Sequence, residues 1–314
     1  MLATAPAKLI LCGEHAVVYG QPAIAVPLPD LRATATVQAG APHTGLTLAV
    51  PDLSPELIHD PQHPLLALIH ATLHTLAAPA APDLLLTVRS SIPIASGMGS
   101  GAAVATALVR AVAQWYGVAI TDAAVSDLVY QSEQRLHGTP SGIDNAVIAY
   151  AQPIWFVRQS PAPLIEPIQI GAPLHLVIGD TGIRSETRLP VGAVRQAWQA
   201  QPAHYTALFA AVGDIVHEIR TILARPQPDL SLLGALLTAN QHLLAQIGVS
   251  SPALEQLISA ARAAGALGAK LSGAGWGGIM LALAADSTHA AYLATMLRAA
   301  GAVQAIPTVV QAHG

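Results

Sequence analysis

The segment Pro93-Ile94-Ala95-Ser96-Gly97-Met98-Gly99-Ser100-Gly101-Ala102-Ala103 constrains this chain more than any other. It follows a leucine- and valine-rich run, Asp83 to Ser90, and precedes Ala102 to Tyr116, which is alanine-rich and free of helix breakers, so it is a passage from a strand into a helix. Gly97, Gly99 and Gly101 let the backbone bring successive N–H groups together where the helix N-terminus directs its positive dipole end. Such a place suits a phosphate. The plainer alternative is a glycine turn that only caps a helix. The same residues exclude a membrane span: the uncharged stretch Ser90 to Val109 is long enough, but nine of its twenty residues are Ser, Gly, Pro or Thr, and Pro93 and the glycines break a helix through its first half.

Composition narrows the partner. With 314 residues, 53% hydrophobic and 10% charged, the chain has ample apolar material for a core and more length than one core usually uses, so two domains are expected. The formal charge is −4 with no basic run, which gives no footprint for nucleic acid or an anionic membrane and favours a small-molecule partner. The single cysteine, Cys12, makes neither an intrachain disulfide nor a thiolate metal site, so a reducing cytoplasm is expected. Near the start, Lys8 precedes only Leu9 to Cys12 before Gly13-Glu14-His15 interrupts, which is not the pattern of a signal peptide.

Periodicity sets the coarse order of elements. Strands are expected at Lys8 to Leu11, Ala23 to Val26 and Arg32 to Gln38 as an opening meander, with the turn Tyr19-Gly20-Gln21-Pro22 between the first two. Helices follow at His63 to Leu76 and, with Thr121 at the cap, up to Arg135, which is followed by a loop over His137 to Ile143. The proline-rich stretch Gln159 to Pro173 reads as a linker, dividing the chain into residues 1–165 and 166–314. Beyond it come a strand at Leu174 to Gly179, helices at Val191 to Leu223 and Ser231 to Ile247, and a further helix with Ser251 as cap and Pro252 at its first position. A β-loop-β-α-β ending runs from Gly268 to Val310.

Several chemistries can be tested on the motifs. A Walker A loop needs Gly-Lys-Ser/Thr, and the only lysines are Lys8 and Lys270. A nucleophile elbow around Ser100 would need glycine where Met98 stands. Gly97-x-Gly99-x-x-Ala102 and Gly273-x-Gly275-x-x-Gly278 match a dinucleotide fingerprint only formally, because the first lacks the acidic residue about twenty positions on and the second joins strand to strand. His59/His63 and His70/His74 are i, i+4 pairs with no glutamate or thiolate to complete a zinc site, and they read as surface and packing histidines. Glu133 on a last helical turn, with Asp144 in the loop beyond, suits a divalent-metal ligand and a general base for phosphoryl transfer, although a helix end with a capped turn explains the same residues.

Taken together, Lys8, Gly13-Glu14-His15-Ala16-Val17-Val18-Tyr19-Gly20, the Pro93 to Ala103 loop, His137 to Asn145, Arg184-Ser185 and Lys270 to Gly278 resemble the GHMP small-molecule kinases in order and spacing over nearly the whole chain. Gly-Glu-His-Ala-Val-Val-Tyr-Gly, Thr-Pro-Ser-Gly-Ile-Asp-Asn and Asn240-Gln241 resemble the branch that phosphorylates mevalonate. The resemblance implies an α+β fold of two domains, an N-terminal one like ribosomal protein S5 domain 2 and a ferredoxin-like C-terminal one, with the active cleft between them. It implies ATP-dependent phosphorylation of the 5-hydroxyl of mevalonate with Mg2+, in isoprenoid precursor synthesis, and leaves a homodimer open. By the same likeness Asp144 corresponds to the base and Lys8 to its partner, Glu133 and Ser100 to magnesium ligands, and Ser90 with Ala95, Ser96, Gly97, Met98, Gly99, Ser100 and Gly101 to the nucleotide-binding stretch. Glu14, His15, Arg158 and Arg184 correspond to substrate-side positions, while Lys270, Ser272, Gly273, Ala274 and Gly275 correspond to the third, nucleotide-side motif.

Two departures stand out. Gly101 occupies the place of a serine whose hydroxyl joins the metal shell in the family, and Trp276 stands where glycine is common. Two alternatives remain at this level: a relative acting on phosphomevalonate or on the 3-hydroxyl of mevalonate, and a nucleotide-binding regulator without turnover.

Overall fold

Two long strands carry the N-terminal third of the chain. In the computed structural model, which describes every residue except Ala80, Ala81, Ala95, Gly138, Thr139, Pro140, Ser185 and Gly314 and the side chains of Leu136 and His137, β1 runs Leu2–Cys12 and β2 runs Pro22–Ala39. Burial alternates along β1 as far as Ala7, and from there every residue is buried, so one face gives way to two covered faces. The meander of three strands expected from the sequence is instead these two. β2 pairs with β1, and Pro27 and Pro29 sit between the two stretches of it that pair with other strands: Pro22 to Ala25 with β6 (Ile154–Val157), and Ala33 to Ala39 with β5 (Leu84–Ser90).

Clustering of contacts divides the chain into two units: Met1–Lys8, Pro29–Ile94 and Gly99–Ala151, and Leu9–Leu28, Ala95–Met98 and Gln152–Gly314. In the first, β3 (Leu46–Val50) lies parallel to β5 and antiparallel to β4 (Ser54–Ile58). Neither β3 nor β4 is expected from the sequence, because both are short and β4 is mostly exposed. The helices of this unit are α1 (Pro64–Thr75), α2 (Ser100–Trp115), α3 (Asp122–His137) and α4 (Ile143–Tyr150). The buried face of α2 is mainly alanine and valine, small enough for neighbouring helices to approach closely.

In the second unit, β7 (Leu164–Pro167) pairs with β6, so the proline-rich stretch read as linker contains a strand; Glu166 on it holds Arg220 at 2.8 Å, and that guanidinium lies 4.5 Å from the centre of the Trp155 ring. A second sheet has the order β11–β8–β10–β9, all antiparallel, from β8 (Leu174–Asp180), β9 (Gly268–Ser272), β10 (Ile279–Ala284) and β11 (Gln304–Val310). Helices α5 (Arg188–Ala200), α6 (Pro202–Leu223), α7 (Leu230–Ile247) and α8 (Pro252–Ala263) lie between β8 and β9 in the chain, and α9 (Ser287–Ala299) lies between β10 and β11. That alternation and strand order are ferredoxin-like. The single helix expected over Val191 to Leu223 is two, because Pro202 cannot continue α5 and instead opens α6 at its first turn. Ser251 caps α8 as the sequence predicts, accepting from Leu254 N, and Asp229 and Asp286 do the same for α7 and α9. Among the described residues no helix is long and apolar enough to cross a membrane.

Candidate active site

In the first unit the chemistry gathers around the start of α2. Lys8 is buried on β1, and its Nζ lies 2.8 Å from Oδ1 of Asp144, a carboxylate that is 39% exposed. Asp144 sits in the first turn of α4, where the helix dipole favours a negative charge. The next residue, Asn145, is buried and donates from Nδ2 to the carbonyl and hydroxyl of Ser126 on α3, at 3.1 and 2.8 Å, which ties down the start of α4. Gly99, the N-cap of α2, has φ +75°, and a Cβ there would stand 2.8 Å from Ile148 Cδ1 and 2.9 Å from Lys8 Cγ. The loop therefore lies against the lysine stem, and glycine is required both by its φ and by that approach.

Among the described residues no side chain caps α2, and the first N–H groups of such a helix suit an anion. Ser100 opens the helix, and a Cβ on Gly101 would stand 3.4 Å from Oε1 of Glu133 on α3. Glu133 thus faces the first turn of α2. Ser90 ends β5; its N–H donates to Asp52 Oδ2 at 3.1 Å and its hydroxyl accepts from Ile92 N at 3.1 Å. Ala95, residues 138–140 and Ser185 lie outside the described residues.

In the second unit, Glu14 and Lys270 are both sealed from solvent and joined as an ion pair; Lys270 also donates to the carbonyl of Leu271 at 2.6 Å. His15 is buried, with Nε2 2.9 Å from the Ala274 carbonyl, and burial lowers its pKa to about 4, so the ring is neutral at neutral pH. Ser272 donates from Oγ to the Ile10 carbonyl at 2.8 Å. Burial also pushes the Cys12 thiol up, which leaves it unreactive as a thiolate. Ser96 is buried and its Oγ accepts from Met98 N at 3.4 Å; an added Cβ at Gly97 (φ +87°) would find its nearest neighbour, Ser272 O, at 3.9 Å. Gly273 and Gly275 have positive φ, and a Cβ on Gly275 would strike the Val249 carbonyl at 2.1 Å. Trp276 also has positive φ, and its indole N–H donates to the Gly248 carbonyl at 2.9 Å.

Arg184 is half-exposed and held in bidentate fashion by Asp180, at 2.8 and 2.9 Å, and that hydrogen bonding raises its pKa. Asp180 is buried at the end of β8 and also accepts from Gly182 N. No motif in the sequence points to Asp180; only the fold shows which arginine it orients. Arg158 is half-buried just beyond β6. Among the described residues no three His, Cys, Asp or Glu side chains cluster as for a metal; His63 instead caps α1, and His59 meets the Thr47 hydroxyl at 3.3 Å.

Family models for the GHMP kinases N-terminal and C-terminal domains match residues 66–152 and 215–303. The mevalonate kinase of Thermococcus sibiricus is 32% identical, with 98% of this chain and 96% of that one covered. This chain belongs to the GHMP kinases. Among solved structures, L. major mevalonate kinase in complex with R-mevalonate is 31% identical and superposes with a TM-score of 0.87, covering 100% of this chain and 97% of that one. Streptococcus pneumoniae phosphomevalonate kinase, at 16% identity and a TM-score of 0.82 with 98% and 99% covered, shares the fold. The N-terminal GHMP region takes in the glycine loop, Glu133 and Asp144, and the C-terminal one takes in Lys270 to Gly278. Lys8, Glu14 and His15 lie outside both, on and just after β1.

Proposed function

We propose that this chain is a mevalonate kinase, transferring the γ-phosphoryl group of ATP to the 5-hydroxyl of mevalonate in isoprenoid precursor synthesis. The observation that carries the reading is the Lys8–Asp144 pair, 2.8 Å apart, beside a glycine loop whose helix start has no side-chain cap. Asp144 is the residue with an exposed carboxylate oxygen to orient the attacking hydroxyl and take its proton. As the O–H bond breaks, the oxygen bonds to the γ-phosphorus, the bond from phosphorus to the β-γ bridging oxygen breaks, and ADP leaves with that electron pair. Lys8 holds Asp144 in place and presents positive charge to the developing alkoxide. The uncapped start of α2 and the loop Ser96, Gly97, Met98, Gly99, Ser100 and Gly101 take the phosphates.

Glu133 and Ser100 suit Mg2+, because the carboxylate oxygen faces the first turn of α2, which Ser100 opens, and Mg2+ is bound through one or two protein oxygens with waters and phosphate completing its shell. When bound, the metal neutralises phosphate charge. Arg184, pre-set by Asp180, is the fork for the substrate carboxylate, with Arg158 as a second candidate, and neutral His15 is a hydrogen-bond partner for a substrate hydroxyl. A reducing cytoplasm suits the single buried thiol. Coupled ADP release with mevalonate, phosphomevalonate, galactose and homoserine tests the reading, with phosphorus NMR to locate the new ester. Turnover on mevalonate giving the 5-phosphate is expected; turnover only on another alcohol, or none, would overturn it.

A further inference from the structure

Both lysines of this chain are buried, and each is paired with a carboxylate. Lys8 has a place in the reaction, whereas Lys270 and Glu14 are sealed from solvent against each other. A buried ion pair is a poor device for stability, since taking two charges out of water offsets most of their attraction and apolar replacements often serve as well. Its use here lies in what it holds. Lys270, Ser272 and Ala274 alternate along and just past β9, and each reaches the end of β1 or the turn after it: the ammonium to Glu14, the hydroxyl to the Ile10 carbonyl, and the Ala274 carbonyl to His15 Nε2. β9 is braced from α7, where Gln241 Oε1 accepts from Leu271 N at 2.8 Å. The Gln241 Nε2 group donates in turn to Glu255 at 2.8 Å and to Ser250 at 3.1 Å.

The residue after Glu14 carries the strain. His15 has φ 60° and ψ −51°, a conformation that residues with a Cβ rarely adopt and that costs on the order of 1–3 kcal/mol. It persists only where the surroundings over-determine it. A carbonyl can only accept, so the Ala274 contact places the ring hydrogen on Nε2 and leaves Nδ1, which has no protein partner among the described residues, as an acceptor.

We propose that Glu14 and Lys270 are positioning residues: their ion pair locks the strained His15 backbone and the Nε2–H tautomer of its ring, so that Nδ1 is offered to a hydroxyl of the phosphoryl acceptor. Sealed from solvent, the pair acts through His15 and not by the direct substrate and nucleotide contacts that the resemblance implies for Glu14 and Lys270. The inference rests on the mevalonate reading above for the identity of that hydroxyl, but not for the tautomer.

The test uses full-length protein with 15N-labelled histidine, in which the His15 signals are those lost in His15→Gln. In the wild type the Nε2–H tautomer should predominate by about tenfold or more. In Glu14→Gln and Lys270→Met the two tautomers should mix, and KM for mevalonate should rise about tenfold while KM for ATP stays within about twofold. The double variant Glu14→Gln/Lys270→Met removes both charges of the pair together, so it should recover thermal stability relative to the single variants and still show mixed tautomers and a raised mevalonate KM. Wild-type tautomer and KM in the folded double variant would overturn the proposal and reduce the pair to packing. A wild-type enzyme that ignores mevalonate but shows the Nε2–H tautomer, lost in the variants, would sink the substrate reading and keep the positioning role.

Discussion

Gly99→Ala and Gly97→Ala separate backbone strain from displacement of the catalytic lysine. Both glycines have positive φ, +75° and +87°, so alanine at either position costs about 1–2 kcal/mol for the left-handed backbone. Their surroundings differ. At position 97 the nearest atom to a new Cβ is 3.9 Å away, an ordinary contact, so strain is the whole penalty. At position 99 the Cβ would lie 2.9 Å from Lys8 Cγ and 2.8 Å from Ile148 Cδ1, against about 3.5–4.0 Å for relaxed carbon contacts, so the lysine stem must move by roughly 0.6–1 Å. Overpacking of that kind adds about 1–3 kcal/mol, for a total near 2–5 kcal/mol. The same shift carries the 2.8 Å Lys8–Asp144 contact beyond hydrogen-bonding range, and a misplacement of that size costs about 10²-fold in rate. Urea unfolding gives the stabilities, and coupled ADP release at saturating ATP gives turnover. Equal stability losses in the two variants, or turnover in Gly99→Ala within a few-fold of that in Gly97→Ala, would refute the account of the loop as a wedge against Lys8.

Asp144→Asn should bind ATP normally and lose about 10²-fold or more in turnover; Lys8→Met should act on the same step, so that the double variant is far less than multiplicatively worse, whereas independent losses would show that the two do not work as a pair. Gly101→Ser places a hydroxyl beside Glu133 with room for its Cβ at 3.4 Å, and the magnesium concentration for half-maximal rate should fall about fivefold, equivalent to roughly 1 kcal/mol. An unchanged or higher requirement on magnesium titration would favour crowding of the phosphates over a restored ligand. Asp180→Asn loosens the bidentate hold on Arg184 and should raise KM for mevalonate about fivefold or more without moving KM for ATP; equal changes in both would remove Arg184 from the substrate side. Because His15 has a pKa of about 4 when folded and 6.5 when exposed, the unfolded chain binds more protons between these values, so stability falls as pH drops from 6.5 through 4, by about 3 kcal/mol in all. Thermal melts should show a shallower acid slope in His15→Gln over that window, and identical slopes would mean the ring is not buried neutral.

The glycine loop, the helix it opens, the caps at Ser251 and the strand–loop–strand at Gly268 to Ala284 were legible in the sequence because each follows from local chemistry: φ freedom, dipole direction and period. The order of motifs along the chain likewise determined the family and the residues offered for the reaction. Local rules failed where pairing partners are remote. Pro27 and Pro29 look like strand breakers until β2 is seen to run through them, held by β1, β5 and β6, and β3 is a strand because β5 lies beside it, not because Leu46–Val50 reads as one.

The site divides in the same way. Residue type and spacing singled out Lys8, Asp144, Glu133 and the loop, since few side chains can carry phosphoryl transfer. Only the tertiary structure decided the partners: Asp180 beneath Arg184, and Lys270, 256 residues away in sequence, against Glu14. A charge in the sequence has no partner until the chain folds, and burial, which sets both the cost of that charge and the neutral state of His15, is a property of the packed molecule alone.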